Sequence, residues 1–93
     1  MIISFRDKET ARLMSREPSR RLPSDIQGTA LRKLLMLDAA ISLNDLKVPP
    51  ANQLEKLGKD RTGQYSIRIN KQWRICFRWQ QGNAHDVEIT DYH

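Results

Sequence analysis

The feature of this sequence that most constrains its fold is a strict alternation of apolar and polar residues in its second half. Within residues 65–69 and 73–79 every second residue is large and apolar: Tyr65, Ile67, Ile69, Trp73, Ile75, Phe77 and Trp79. A period of 2 is typical of strands with one face in a core and the other in water. Asn70 and Lys71 lie where the alternation is interrupted and are suited to a two-residue turn. The sequence therefore predicts a β-hairpin with one apolar and one polar face.

An amphipathic helix upstream provides the apolar surface that this hairpin needs as a partner. Its stripe has spacings of four, four, three and four residues: Ile26, Ala30, Leu34, Leu37 and Ile41. Ser24 and Gln27 have the spacing of a capping box, which predicts that Ser24 caps this helix. A shorter helix is predicted from a cap at Asp7 to about Arg16, because Pro18 follows.

The remaining segments complete the predicted architecture. Residues 2–5 are apolar enough for a short strand buried on both faces, residues 42–53 form a connection, and a last strand is expected around residues 86–89. We therefore predict an α+β fold in the order β-α-α-β-β-β, with two N-terminal helices packed on one face of a small, mostly antiparallel sheet. Residues 1–93 are predicted to form a single domain, since the chain has 93 residues.

The polar face of the predicted hairpin carries arginines. Arg68, Arg74 and Arg78 fall on the polar phase of the alternation, so with helices on one side only they are expected to face water. Residues 56–78 contain one anion, Asp60, against seven cations: Lys56, Lys59, Arg61, Arg68, Lys71, Arg74 and Arg78. Guanidinium groups suit bidentate phosphate contacts, and neutralising several phosphates makes binding strongly salt-dependent. The pattern favours nucleic-acid binding over an ordinary solvated sheet face.

Several other classes of protein are excluded by composition. Cys76 is the only cysteine, which rules out an intramolecular disulfide and a cysteine-rich zinc site and is typical of a reducing cytoplasm. His85, expected in a surface turn, and His93 lack metal-site spacing, and no Gly-rich phosphate loop occurs. No stretch approaches the roughly 20 apolar residues of a membrane span. We therefore predict a cytoplasmic domain without a metal or cofactor.

The last three residues supply groups suited to acid–base chemistry. His93 can exchange a proton near neutral pH, Tyr92 can stack on a base or donate a hydrogen bond, and Asp91 can orient either neighbour. The alternative is a frayed tail, which terminal residues often form.

Four segments together resemble one toxin family: Asn52–Leu57, Arg61–Asn70, Gln72–Phe77 and Val87–His93. The combination of Tyr-Ser-Ile-Arg-Ile-Asn, Gln-Trp-Arg and a terminal Asp-Tyr-His is specific, and the resemblance covers nearly the whole chain. The sequence resembles the HigB branch of the RelE/ParE toxin superfamily, also called plasmid maintenance system killer proteins. The resemblance implies a small antiparallel sheet with two N-terminal helices on one face, in agreement with the fold predicted above.

The resemblance also implies an activity and partners. It implies a toxin of a type II toxin–antitoxin module, an endoribonuclease that cuts mRNA in the ribosomal A site by metal-free attack of the 2′-OH. A HigA-like helix-turn-helix antitoxin would neutralise the toxin and bind the operator DNA of the module. The expected partners are therefore the antitoxin, the ribosome and mRNA.

The resemblance further implies roles for site residues. Arg74 matches the family arginine that contacts the scissile phosphate, and Asp91, Tyr92 and His93 match a C-terminal group implicated in activity. Glu55 stands where some relatives carry a histidine, and a glutamate has the lower ordinary pKa, about 4.3 against 6.5. We expect Glu55 and His93 to form the acid–base pair, without assigning the general base. Neighbouring phosphates or ribosomal RNA would be held by Lys56, Lys59, Arg61, Arg68, Lys71 and Arg78.

Two other classes of function stay open on the sequence. One is a ParE-like toxin that inhibits gyrase and cuts nothing, although a pure binder needs no terminal imidazole. The other is a non-catalytic RNA-binding module, which the basic sheet face alone would satisfy.

Overall fold

The computed structural model describes residues 1–91, which form a four-stranded antiparallel sheet covered on one face by two helices. The elements are α1 (Lys8–Met14), α2 (Ser24–Ala39), β1 (Glu55–Lys56), β2 (Gln64–Arg68), β3 (Trp73–Gln80) and β4 (Asn83–Asp91), and the strands pair in chain order. The predicted α+β fold is confirmed. No helix in this described part of the chain is long and apolar enough to cross a membrane.

The core lies between α2 and the apolar face of the hairpin formed by β2 and β3. Its most deeply buried apolar side chains are Leu34, Leu37, Leu46, Ile67, Ile75, Phe77 and Val87. Burying each such side chain contributes about 1.5–3 kcal/mol, so the alternation and the helix stripe together account for most of the driving force. The rings of Tyr65 and Trp79 flank Phe77, each with its centroid 6.3 Å from the Phe77 centroid.

The start of α2 differs from the predicted capping box. Pro23 occupies the cap position and Ser24 is the first helical residue, without a side-chain cap hydrogen bond. The Gln27 amide instead donates to the carbonyl oxygens of Ser19 and Leu22, at 3.0 and 2.9 Å. Because this side chain closes the preceding loop, it does not reach back to the helix start, and the capping-box prediction is wrong.

Both helices also end earlier than predicted. α2 stops at Ala39, so Ile41 lies beyond the helix and is 83% exposed, while Ala40 is buried. α1 stops at Met14, and Arg16 has a positive φ of 64°, a left-handed conformation that cannot continue a helix.

The N-terminal segment lies beside β4 but is not the strand buried on both faces that was predicted. Ile2 and Phe5 form isolated parallel bridges to Ala84 and Val87, and Ile3 is 51% exposed. The pairing of β3 with β4 shifts register between Cys76 and Arg78, where β4 carries an extra residue. This bulge interrupts the edge of β4, so the N-terminal segment pairs with it at two separate points.

The second half of the sheet also departs from prediction in length. β4 begins at Asn83 and so includes His85, which was expected in a turn and is instead half-buried opposite Arg78. β1 was not predicted, because two residues are too few to show a period. The connection before it contains two short 3-10 helices, Leu43–Lys47 and Pro50–Asn52.

Candidate active site

The sheet face opposite the helices carries the arginines that the alternation placed there. On β2 and β3, Arg68 lies directly opposite Arg74, and Gln64 lies opposite Arg78. Directly opposed residues of an antiparallel pair point to the same side of the sheet. The predicted division into an apolar face and an arginine-bearing face is therefore correct.

Arg74 is 9% exposed, so the expectation that it faces water is wrong. Its Nε donates a hydrogen bond of 2.7 Å to Oγ of Ser66, and one Nη donates to the backbone carbonyl of Gln53 at 2.5 Å. The connection that precedes β1 passes over this end of the face and covers the guanidinium. Arg74 is consequently held at two points, on the side of the sheet opposite α1 and α2.

Gln53 reaches Arg74 through an unusual backbone conformation. Its φ and ψ are 44° and 57°, in the left-handed region, and its side chain is exposed. A residue with a Cβ pays roughly 1 kcal/mol or more for this conformation. The neighbouring structure therefore has to stabilise the turn that directs this carbonyl.

Glu55 lies next to the Arg74 site. It is the Cα partner of Ser66, so both side chains leave the same face, about 5 Å apart at Cβ in such pairs. Ser66 is buried and accepts from Arg74, whereas Glu55 is exposed. The structure thus places an exposed glutamate opposite the serine that accepts from Arg74, and the acid–base role of Glu55 stays a prediction.

The other predicted cations are divided between two sides of the sheet. Lys56 pairs with Tyr65 and takes the opposite phase from Glu55, so it lies away from Arg74. Arg61 follows Lys59 in a single 3-10 turn and donates to Oε1 of Gln64 at 3.1 Å, which places its guanidinium on the arginine face. The exposed Lys71 lies in the turn between β2 and β3.

Carboxylates reduce the positive charge at one end of this face. Oε2 of Glu88 lies 3.2 Å from Nη1 of Arg6 and 3.4 Å from Nη1 of Arg61, and Oδ2 of Asp86 lies 3.5 Å from Nε of Arg78. The face therefore carries both signs, which the charge count over residues 56–78 did not predict. Among residues 1–91 no carboxylate forms an ion pair with Arg68 or Arg74, so the excess positive charge is concentrated there.

The C-terminal group is described only in part. Asp91 is the Cα partner of Trp73, and its Oδ2 accepts a hydrogen bond of 2.9 Å from Nε2 of Gln72. Thr90, one residue earlier, is the partner of Arg74. Tyr92 and His93 lie outside the described residues, so their assigned roles stay predictions.

The thiol of Cys76 and the metal-ligating side chains complete the chemistry of the described residues. Cys76 is fully buried, and this burial raises the pKa of its thiol to about 11, so it is not a nucleophile near neutral pH. Within the described chain no group of three His, Cys, Asp or Glu side chains comes together in a way that could hold a metal ion.

Three residues of the site were not singled out from the sequence: Ser66, Asn52 and Gln53. The alternation puts Ser66 on the phase of Arg68 and Arg74, so its place on this face was available from the sequence. No local sequence pattern predicts the left-handed conformation of Gln53 or the full burial of Asn52.

Comparison with known proteins identifies the family. A family model described as a RelE-like toxin of the type II toxin–antitoxin system HigB matches residues 3–93. The chain belongs to the HigB-like toxin family. Toxin HigB-1 of Vibrio cholerae serotype O1 is 41% identical over 85 residues, which cover 90% of each chain.

Two further relatives match this HigB-like toxin. Endoribonuclease HigB of Proteus vulgaris is 29% identical over 93 residues, the full length of both chains. An uncharacterised Haemophilus influenzae protein is 37% identical over 72 residues, which cover 77% of this chain and 71% of that one. The family predicted from the four sequence segments is therefore confirmed, and with it the general class of partner, an antitoxin.

Proposed function

We propose that this HigB-like toxin is an endoribonuclease that cuts mRNA in the ribosomal A site without a metal ion. The observation that carries the proposal is the guanidinium of Arg74, fixed by Ser66 and Gln53 on the sheet face opposite α1 and α2, with Glu55 as the strand partner of Ser66. The Proteus vulgaris relative named Endoribonuclease HigB supports this activity.

The proposed reaction is an in-line transesterification. The 2′-oxygen attacks the adjacent phosphorus, the bond from phosphorus to the 5′-oxygen breaks, and a 2′,3′-cyclic phosphate and a 5′-hydroxyl result. A base takes the proton of the 2′-OH, and an acid gives a proton to the 5′-oxygen. Arg74 stabilises the charge that develops on the phosphoryl oxygens, and because it is already held in place it needs little reorganisation during the reaction.

Glu55 and His93 form the proposed acid–base pair. Glu55 is exposed, on the same face as Arg74, and so has access to an RNA strand lying across that face. Asp91 would orient His93 or Tyr92, and Tyr92 would stack on a base of the codon. Each of these assignments comes from the family resemblance.

The remaining cations are proposed to bind RNA. Arg68, half-buried opposite Arg74, is suited to the phosphate next to the scissile one. Arg61, Lys71 and Arg78 extend the contact along the strand or to ribosomal RNA. Lys56, whose side chain leaves the sheet on the side opposite to Glu55, and Lys59 are assigned to ribosomal RNA.

We propose a HigA-like helix-turn-helix protein as the antitoxin, which links this toxin to operator DNA. Action on translating ribosomes places the toxin in the cytoplasm. The family supports an antitoxin in general, and the class of antitoxin comes from the resemblance.

Primer extension on mRNA in a translation extract tests the proposed activity. We expect codon-associated cuts that require ribosomes, are lost in Arg74→Ala and fall about 10²–10⁴-fold in His93→Gln, provided that both variants keep the wild-type melting transition. Glu17→Gln, a change on an exposed loop residue, serves as the control and keeps its activity. DNA breaks through gyrase would instead favour a ParE-like toxin, and binding without cuts would favour an RNA-binding module.

A further inference from the structure

We propose that Asn52 is a positioning residue for RNA cleavage, because its buried side chain fixes the turn whose carbonyl holds Arg74. The inference rests on the proposed function, in which Arg74 stabilises the transition state. Asn52 itself would contact neither RNA nor the reacting atoms.

The side chain of Asn52 is fully buried and links the connection over residues 42–53 to α2. Its Nδ2 donates to the backbone carbonyls of Leu46 and Val48, at 3.1 and 3.4 Å, and its Oδ1 accepts a hydrogen bond from Nζ of Lys33 on α2. The connection is therefore anchored both to itself and to the helix layer. A buried amide with all of these partners defines one backbone path, whereas an apolar side chain would tolerate several.

The anchor stands immediately before the residue that reaches Arg74. Asn52 ends the 3-10 helix, with its backbone N–H bonded to the Pro49 carbonyl at 2.9 Å, and Gln53 then takes the left-handed conformation. The Gln53 carbonyl accepts from Nη2 of Arg74. A left-handed residue other than glycine persists only where the structure around it holds it in place. Asn52 and Arg74 hold Gln53 from its two sides.

Lys33 brings a charge to the same anchor. Burial lowers the pKa of Lys33, and the nearby cations Arg32 and Arg68 lower it further. The hydrogen bond from Nζ of Lys33 to Asn52 ties this ammonium group to the connection.

The test compares Asn52→Ala with Asp45→Ala in two backgrounds, wild type and Arg74→Lys. Asp45 belongs to the same connection, where its Oδ2 accepts from the backbone N–H groups of Ile41 and Ser42, but it lies outside the route to Arg74. In Arg74→Lys the charge stays, while the two-point hold by Ser66 and Gln53 is lost. The measurements are the single-turnover cleavage rate constant on programmed ribosomes at saturating toxin, and the toxin concentration at half-saturation.

We expect Asn52→Ala to lower the rate constant about tenfold or more in the wild type and less than about twofold in Arg74→Lys, with a small change in half-saturation. Asp45→Ala should leave the rate constant within about twofold. Equal losses in both backgrounds, or an equal loss in Asp45→Ala, would show that Asn52 acts only on general stability. If Arg74→Ala itself cleaves normally, the proposed function fails, and that result is separate from the Asn52 comparison.

A measurement without RNA supports or overturns the same inference. Solvent exchange of the Arg74 Nη–H protons, followed by NMR, should accelerate about tenfold in Asn52→Ala and stay unchanged in Asp45→Ala, because only the first releases the Gln53 carbonyl that accepts from Nη2. Unchanged exchange in a folded Asn52→Ala protein would contradict the proposal. If Asn52→Ala does not fold, Asn52→Asp provides the same comparison, since it keeps the acceptor for Lys33 and loses both N–H donors.

Discussion

Arg68 and Arg74 lie directly opposite each other on β2 and β3, with both side chains on the face opposite α1 and α2. Like charges in this position repel each other, and a carboxylate would ordinarily be expected between them. Arg74 is instead held by two neutral acceptors, the Ser66 hydroxyl and the Gln53 carbonyl. No carboxylate of residues 1–91 pairs with either arginine, and in the proposed function a phosphoryl group bound here would relieve the repulsion.

Ser66→Ala should slow cleavage while leaving RNA binding nearly intact. The change removes the Oγ that accepts from Nε of Arg74 and leaves a buried donor unpaired, at a cost of about 1–3 kcal/mol in stability. Cys76→Ala is the matched control, because Cys76 is directly opposite, equally buried, and loses one heavy atom without taking an acceptor from that Nε. We expect the single-turnover rate constant to fall about tenfold in Ser66→Ala only. Equal rates in the two variants would contradict the orienting role of Ser66.

Glu88→Gln should strengthen RNA binding and make it more salt-dependent. Glu88 forms ion pairs with Arg6 and Arg61, and its amide replacement removes this negative charge from beside them. Two additional phosphate contacts would steepen the slope of log affinity against log salt by up to about 1.4 for single-stranded RNA. The stability change should stay within about 1 kcal/mol, because both arginines are partly exposed.

Filter binding of single-stranded RNA at several salt concentrations measures this effect. Glu17→Gln makes the same charge change on an exposed residue away from the sheet face and is the control. Equal slopes for the two variants would mean that Glu88 does not regulate the charge of the RNA-binding surface.

Much of the fold was predictable because it rests on regular periods. The alternation through β2 and β3 fixed the two faces, and the α2 stripe from Ile26 to Leu37 fixed the covering layer. The ends of the helices were predicted less well, because they depend on contacts with other parts of the fold. The Gln27 amide binds the carbonyls of the preceding loop and does not cap the helix. Ile41 has the spacing of the α2 stripe but lies beyond the end of the helix and is exposed.

The sheet face of each candidate residue was predictable, but the geometry around it was not. The alternation placed Arg74 on the polar face, whereas its burial depends on the path of the connection, which has no period. A contact made by a backbone carbonyl, such as that of Gln53, cannot be predicted from residue type, because every residue has a carbonyl. Likewise, the ion pairs of Glu88 join residues far apart in sequence, so counting charges within a segment could not reveal them.

Substitutions at Gln53 test the left-handed turn by stability alone. Valine is β-branched and strongly disfavoured at φ of 44°, so Gln53→Val should lower the free energy of unfolding by about 1–2 kcal/mol. Gln53→Gly is the matched control and should stay within about 1 kcal/mol of the wild type, because relief of strain offsets the added freedom of the unfolded chain. Urea denaturation measures both. A glycine variant less stable than the valine variant would rule out this conformation in solution.

The buried thiol of Cys76 should make stability fall at alkaline pH. Burial raises the pKa of Cys76 from 9.0 to about 11, so between these values the unfolded chain has lost the proton that the folded chain keeps. Binding fewer protons in the unfolded state makes the free energy of unfolding decrease as pH rises, by up to about 2 kcal/mol from pH 9 to 11. Cys76→Ala lacks this group, and comparing the two proteins cancels the titration of tyrosines and lysines. Urea denaturation at pH 8, 10 and 11 should show the wild type losing more stability than Cys76→Ala, whereas parallel losses would indicate that the thiol titrates normally in the folded protein.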